Sequence, residues 1–211
     1  MNSVNGEPVE TSELQLVEAA ARGDREARRE LFERYRQAAF RVAWRITGRH
    51  EDALDVVQDG FIRAFERLEG FRGEARFKTW LLRIVSSRAL DLLRARKVRL
   101  AVSLDGGRDD AEPGFAPPAA PDEPPDARCE RQALSEKLRH AIEALPPDQR
   151  ATFSLYAIGE LTYGEIAAAL GVPIGTVMSR LHHARRRLRE MLPDLAPEGA
   201  FAKPRGAAGP T

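Results

Sequence analysis

The chain has 211 residues and a net charge of +1, with 43% hydrophobic and 31% charged residues. At about 150 residues per domain, this length fits one domain or two small ones and argues against repeat solenoids and multidomain enzymes. The apolar share excludes a wholly disordered chain, and the strong helix formers Ala, Leu, Arg and Glu dominate the composition. We therefore predict an all-α fold.

The chain contains one cysteine, Cys129, which excludes an internal disulfide framework and a cysteine-based zinc cluster. Every apolar run is shorter than the roughly 20 residues that span a bilayer. Residues 1–10 lack the basic start and apolar stretch of a signal peptide. We expect a cytoplasmic protein without membrane insertion.

The first predicted body is a helical bundle over residues 12–96. The Ser12–Gln15 segment has the spacing of a capping box, which predicts a short first helix that ends at Gly23. Apolar residues at three- and four-residue steps predict a second helix, Asp24–Gly48, and a third, Glu51–Leu68.

The segment Phe71–Phe77 is too polar and too rich in glycine to continue a helix, so it predicts a loop. It leads into a basic helix that ends near Arg96. Trp80 continues the apolar stripe of that helix and is expected to pack in the core. Phe71 and Phe77 lie beside cations, and aromatic faces beside cations can hold unstacked single-stranded bases.

The near-neutral net charge conceals a segregation of charge along the chain. Residues 76–99 carry eight basic side chains against one acidic, a net +7, and residues 174–192 carry five against one, a net +4. Residues 101–130 carry net −6 and six prolines. Because proline and glycine interrupt helices, we predict a flexible acidic linker over 97–129, with disordered ends over 1–11 and 193–211.

The second predicted body, residues 130–192, contains a helix-turn-helix pattern after two further helices. Thr162 and Glu165 have capping-box spacing and open a short helix, Tyr163–Leu170. Gly171 permits the positive φ of a tight turn, and Pro173 suits the start of the next helix. The expected interior residues are Ile166, Ala167, Leu170, Val172, Val177 and Leu181.

The second helix of this motif should present the side chains that contact duplex DNA, because recognition helices reach base edges from their amino-terminal turns. Phosphate contacts are expected mainly from the arginines that follow His183. The candidates are Thr176, Met178, Ser179, Arg180, His182, His183, Arg185 and Arg186. The neighbouring histidines point about 100° apart and have no third ligand nearby, so we expect no metal and no cofactor.

The combination resembles the extracytoplasmic-function (ECF) group of bacterial sigma factors, within the sigma-70 family. The resemblance is carried by Asp52–Phe61, Phe71–Gly73, Phe77–Leu81, Leu145–Pro147 and Gly175–Leu181. It implies that residues 12–96 form region two and residues 130–192 form region four. It also implies binding to core RNA polymerase, recognition of −35 and −10 promoter elements, promotion of DNA melting, and an anti-sigma factor as partner.

The same resemblance implies three sets of contact residues. Core polymerase would be bound by Asp52, Leu54, Asp55, Gln58 and Ile62. The −10 element would be contacted by Phe71, Arg72, Gly73, Glu74, Arg76, Phe77, Lys78, Arg83, Ser87 and Arg88, and the −35 element by the helix-turn-helix candidates. Ser87 and His183 depart from residues common in the family, so the family's base preference does not transfer.

Two other functions fit parts of the sequence. A two-domain helix-turn-helix regulator would bind duplex DNA by itself, without acting as a sigma subunit. A nuclease would need a metal cluster, for which Asp52, Asp55 and Asp59 have helical spacing, but a charged helix face accounts for them. We expect no catalytic residues and no enzymatic activity.

Overall fold

The computed structural model describes residues 13–73, 75–102 and 125–193, and within these ranges the chain forms eight α-helices and no strand. The helices are α1 (Glu13–Ala21), α2 (Arg25–Thr47), α3 (His50–Glu66), α4 (Phe77–Val102), α5 (Pro125–Glu143), α6 (Pro147–Ala157), α7 (Tyr163–Leu170) and α8 (Ile174–Met191), and one 3-10 turn, Leu68–Gly70, follows α3. The all-α prediction is confirmed. Ser12, Glu74, and the predictions for residues 1–11, 103–124 and 194–211 lie outside the described residues.

Both ends of α2 follow the sequence signals. The Asp24 carboxylate accepts hydrogen bonds from the backbone N–H groups of Glu26 and Ala27, at 2.9 and 3.2 Å. It therefore satisfies donors that have no partner inside the helix. At the other end Gly48 has φ +78° and donates its N–H to the Trp44 carbonyl at 2.8 Å. That left-handed conformation favours glycine.

Helices α1–α4 form the first domain around a common apolar core. Its largest fully buried side chains are Leu31, Ile46, Leu68, Phe77, Leu81 and Leu82. Where α3 crosses α4, a Cβ atom on Gly60 would lie 2.8 Å from Val85 Cγ2. Glycine therefore allows the close approach of these two helices, which fixes the direction of their exposed faces.

The helix α4 continues to Val102, beyond the predicted end near Arg96. Residues 97–102 contain neither glycine nor proline, so nothing in their covalent structure ends the helix. At the other side α5 begins at Pro125, whose fixed φ and missing N–H suit the first helical turn. Both helices thus occupy parts of the segment predicted as linker.

Helices α5–α8 form the second domain, which packs against the first. Helix α6 contacts α2 and α4, and α7 also contacts α4. The buried side chains of both domains form one continuous apolar core. The fully buried residues of the second domain include Leu155, Ile166, Leu181 and Leu188.

Candidate functional site

One exposed face of α3 carries four of the five residues expected to contact polymerase. Leu54 and Ile62 are each 49% exposed. Asp55 and Gln58 are also exposed. The spacing of three and four residues places all four side chains on one side of the helix. The α3 face, as we name this group of four, offers two aliphatic side chains flanked by a carboxylate and an amide.

Asp52 differs from these four residues because it is turned toward α4. Its carboxylate lies 3.5 Å from Arg96 Nη1 and 3.9 Å from Arg49 Nε. Phe32 on α2 is an exposed aromatic residue beside α3 that is not among the site residues predicted from the sequence. It is 36% exposed, and its ring centroid lies 4.8 Å from that of Phe61. An aromatic residue outside the apolar stripe of an otherwise polar helix is the sequence feature that could have identified it.

The connecting loop between the 3-10 turn and α4 comprises residues 71–73, 75 and 76 among those described. Arg72, Gly73 and Arg76 are exposed, and Gly73 has φ +69°. Phe71 is half-buried, with its ring centroid 5.2 Å from that of Trp80. The loop therefore combines exposed cations with a partly accessible aromatic pair, as bases held out of a stack require.

The position of Phe77 corrects its expected role in base stacking. Its side chain is completely buried, with the ring centroid 5.4 Å from Tyr35 and 5.9 Å from Trp80. Phe77 is the first residue of α4 and points into the bundle, where burial of the ring stabilises the domain by a few kcal/mol. Trp80, expected only to pack, is half-buried beside Phe71 and retains accessible surface.

Beyond the loop, α4 presents an exposed face. Arg83 and Ser87 are exposed and share the side of the helix on which Trp80 lies. Arg88 is half-buried and donates from Nε to an Asp59 carboxylate oxygen. The structure therefore groups Arg83 and Ser87 with the aromatic pair and holds Arg88 against α3.

The carboxylate of Asp59 joins α3 to α4. It also accepts from Arg63 Nε at 3.2 Å. Partial burial raises the pKa of Asp59, but the hydrogen bonds and positive charges of Arg63 and Arg88 outweigh it, so the pKa lies below its usual value. Asp59 is therefore an ionised structural partner of two arginines.

The first turn of α4 is covered by the second domain. Lys78 Nζ lies 2.9 Å from a carboxylate oxygen of Glu160, and the Thr79 hydroxyl donates to Glu165 Oε1 at 2.7 Å. Burial raises the pKa of Glu165, but hydrogen bonds from Thr162 and Thr79 lower it by more. The pKa of Glu165 therefore lies below its usual value. One expected −10 contact, Lys78, is thus engaged by the domain that carries the helix-turn-helix.

The helix-turn-helix forms as the sequence predicts. The Thr162 N–H donates to Glu165 Oε2 at 2.8 Å, and the Glu165 N–H donates to the Thr162 hydroxyl at 3.3 Å. Gly171 ends α7 with φ +64°. Ala169 is buried, although it was not assigned to the interior. Ile166, Val177 and Leu181 are buried, and Ala167, Leu170 and Val172 are half-buried.

Helix α8 presents the expected DNA-contacting residues on the surface of the second domain. Met178 is 54% exposed. Arg180 Nη2 lies 3.0 Å from an Asp148 carboxylate oxygen, and the Arg185 guanidinium lies 5.0 Å from the centroid of the Tyr156 ring. Ser179, His182, His183 and Arg186 are exposed, and Thr176, Arg180 and Arg185 are half-buried.

The described residues include neither a metal-ion site nor a membrane-spanning helix. In the three described ranges, no group of three or more His, Cys, Asp or Glu side chains could hold a metal ion. Among the helices of those same ranges, none has the length and apolarity needed to cross a membrane.

Comparison with known proteins decides the family. Residues 31–99 match the family model for sigma-70 region 2, and residues 135–188 match that for sigma-70 region 4. The chain is 37% identical over 177 residues to the ECF RNA polymerase sigma-E factor of Escherichia coli (strain K12), which covers 82% of this chain and 90% of that protein. The chain belongs to the ECF group of RNA polymerase sigma factors.

Other relatives agree with this assignment. The sigma factor is 36% identical over 165 residues to the ECF sigma factor SigE of Mycolicibacterium smegmatis, which covers 77% of this chain and 60% of that relative. A solved structure of the sigma factor RpoE in complex with the anti-sigma factor NepR from Bartonella quintana is similar at a TM-score of 0.63 and 25% identity, covering 78% of this chain and 96% of that chain. Sigma factors are transcription initiation factors, and the region 2 match includes α3, the connecting loop and most of α4.

Proposed function

We propose that the first domain, predicted over residues 12–96, acts as sigma region two and the second, predicted over residues 130–192, as sigma region four, with the segment between α4 and α5 as the linker. The supporting observation is that the two family matches fall on two helical domains, each of which presents a basic helix at its surface. The chain then binds core RNA polymerase and places one domain on each of two promoter elements. Since both sites are on one chain, binding of the first raises the effective concentration of the second.

Core polymerase docks on the α3 face. Exposed Leu54 and Ile62 supply apolar area at its centre, and Asp55 and Gln58 supply polar contacts beside them. Asp52 contributes indirectly, because its pairing with Arg96 holds the second half of α4 against α3.

The −10 element is read by the connecting loop and the exposed face of α4. The half-buried Phe71 and Trp80 rings stack against an unpaired base, Arg83 and Ser87 contact it or its neighbours, and Arg72 binds phosphate. Capture of the base offsets part of an unpairing cost of a few kcal/mol, so melting is favoured without ATP. This function requires neither a cofactor nor an enzymatic step, and it places the protein in the cytoplasm, where bacterial polymerase and DNA are found.

The −35 element is read by α8 in the major groove. Arg180 must leave Asp148 to reach a base, and both side chains of that pair have solvent access. Exposed ion pairs contribute about 0–1 kcal/mol, which is less than the 1–3 kcal/mol of a good bidentate contact to a base. It is therefore favourable in free energy for Arg180 to leave Asp148 and bind a DNA base.

The packing of the two domains restricts promoter access. Lys78 and Thr79 contact Glu160 and Glu165 of the second domain, so promoter DNA reaches the start of α4 only after the domains separate. We propose that core polymerase stabilises the separated arrangement. An anti-sigma factor is the expected inhibitor, by analogy with the solved relative in its complex.

The experiment that tests this function compares binding and initiation by the isolated chain and by its complex with core polymerase, using fragments of the native genome as DNA. A sigma factor should need core polymerase for strong promoter binding and should give open complexes, detected by permanganate reactivity of unpaired thymines. Strong duplex binding by the chain alone, with no open complex in the presence of core polymerase, would instead establish a regulator.

A further inference from the structure

Among the described residues of the connecting loop before α4, none offers a capping side chain to the first turn of this helix. The Trp80 N–H bonds to the Arg76 carbonyl, so Phe77 is the first helical residue and its N–H has no acceptor within the helix. Arg76, at the capping position, has a side chain that only donates hydrogen bonds. The first turn of α4 also contains no acidic residue.

The missing acceptor comes from α1. Glu13 Oε1 accepts from the Phe77 N–H at 2.9 Å. The other carboxylate oxygen of Glu13 accepts from the Tyr35 hydroxyl, and the Tyr35 ring packs on Phe77. One carboxylate therefore ties α1, α2 and the start of α4 together and places a negative charge at the positive end of the α4 dipole.

Helix α1 also lies beside the connecting loop. A Cβ atom placed on Gly73 would lie 3.6 Å from Leu14 Cδ2, an ordinary van der Waals distance. Leu14, which is 60% exposed, is therefore a neighbour of the loop at Gly73. Helix α1 thus lies next to the loop at Leu14 and bonds to the start of α4 through Glu13.

The carboxylate of Glu13 differs from those of Glu160 and Glu165, which also lie near the first turn of α4. Glu160 and Glu165 belong to the second domain and leave with it when the domains separate. Glu13 lies in the first domain and outside the region 2 match, which begins at residue 31. Glu13 therefore still caps α4 when the loop is free to meet DNA.

We propose that Glu13 is a positioning residue for promoter reading, because its cap on α4 fixes the path of the connecting loop and so the placement of Phe71 and Arg72. This inference depends on the proposed role of the loop at the −10 element. Glu13 does not contact DNA. It acts through the Phe77 N–H.

The test uses the full chain with core polymerase and a library of barcoded templates with randomised sequence upstream of the transcript. Counting transcripts by barcode gives the base selectivity at each promoter position. For Glu13→Ala we expect about a two- to tenfold loss of selectivity confined to the downstream element, in line with loss of a helix cap. Glu13→Gln keeps one acceptor oxygen and should give an intermediate loss. Glu18→Gln, an exposed carboxylate on the same helix, should have no effect.

Three results would overturn the inference: unchanged selectivity in both Glu13 variants, an equal loss at both promoter elements, or a loss of core polymerase affinity that accounts for the whole effect. If Glu13→Ala does not fold, Glu13→Gln and Tyr35→Phe decide by the same criteria. Absence of selectivity in the unmodified chain would contradict the proposed function itself, and the inference with it.

Discussion

The hydrogen bond from Thr79 to Glu165 should control how often the two domains separate. Valine has nearly the shape of threonine, so Thr79→Val removes the 2.7 Å bond and leaves the packing of this buried position in place. A hydrogen bond to a charged group contributes about 1.5–3 kcal/mol. In the variant, Glu165 still accepts hydrogen bonds from the N–H and the hydroxyl of Thr162, and water can hydrate it when it is exposed. The loss of the Thr79 hydrogen bond should therefore cost an energy at the lower end of this range. About 1.4 kcal/mol corresponds to a tenfold larger separated fraction.

Energy transfer between two dyes measures this fraction. Cysteines at Arg29 on α2 and Arg187 on α8, both exposed, carry the dyes in a Cys129→Ser background. We expect Thr79→Val to lower the transfer efficiency toward the value of a chain saturated with core polymerase, and to reduce the polymerase concentration needed for saturation.

The matched control is Thr152→Val in α6. Thr152 is also buried, but its hydroxyl donates to the Asp148 carbonyl within the second domain. This variant should lower the melting temperature without changing the dye separation. Equal transfer efficiencies in Thr79→Val and the unmodified chain would refute the argument that this bond holds the domains together.

Four further outcomes follow from the structure. Asp55→Ala with Gln58→Ala should weaken core polymerase binding roughly tenfold in a fluorescence titration, and unchanged affinity would remove the α3 face from the interface. Arg180→Ala should weaken promoter binding by the holoenzyme roughly tenfold with core affinity near normal; loss of both in a folded variant would contradict its assignment. Arg186→Ala should reduce the salt dependence of DNA binding by about one unit of slope. Burial and Glu13 raise the pKa of Tyr35 from 10.0 to about 12. The neutral Tyr35 hydroxyl therefore stabilises the folded state fully below pH 10, and this contribution is lost as the pH rises toward 12. Tyr35→Phe should show a smaller fall in the free energy of unfolding over that range.

The sequence predicted the features that are encoded over a few neighbouring residues. The caps at Asp24 and Thr162 and the turns at Gly48 and Gly171 depend on local hydrogen bonds and on glycine's access to positive φ. Single residues of this kind also set the register of the helix-turn-helix. For that reason its helix bounds agree closely with the structure.

Contacts between distant segments could not be predicted in the same way. Phe77 lies at the junction of loop and helix, and only the bundle around it decides that the ring is buried. The pairing of Asp52 with Arg96 and of Thr79 with Glu165 depends on how the helices and domains pack. No local pattern marks Glu13 as the cap of a helix that begins 64 residues later.

The decisive measurement is transcription reconstituted from the 211-residue chain, sigma-free bacterial core polymerase and the native genome. We expect discrete start sites, each preceded by two sequence elements at a nearly constant separation, and none of these sites without the sigma factor. If a folded chain, free of inhibitor, gives the same start sites as core polymerase alone, the protein does not direct initiation as a sigma factor.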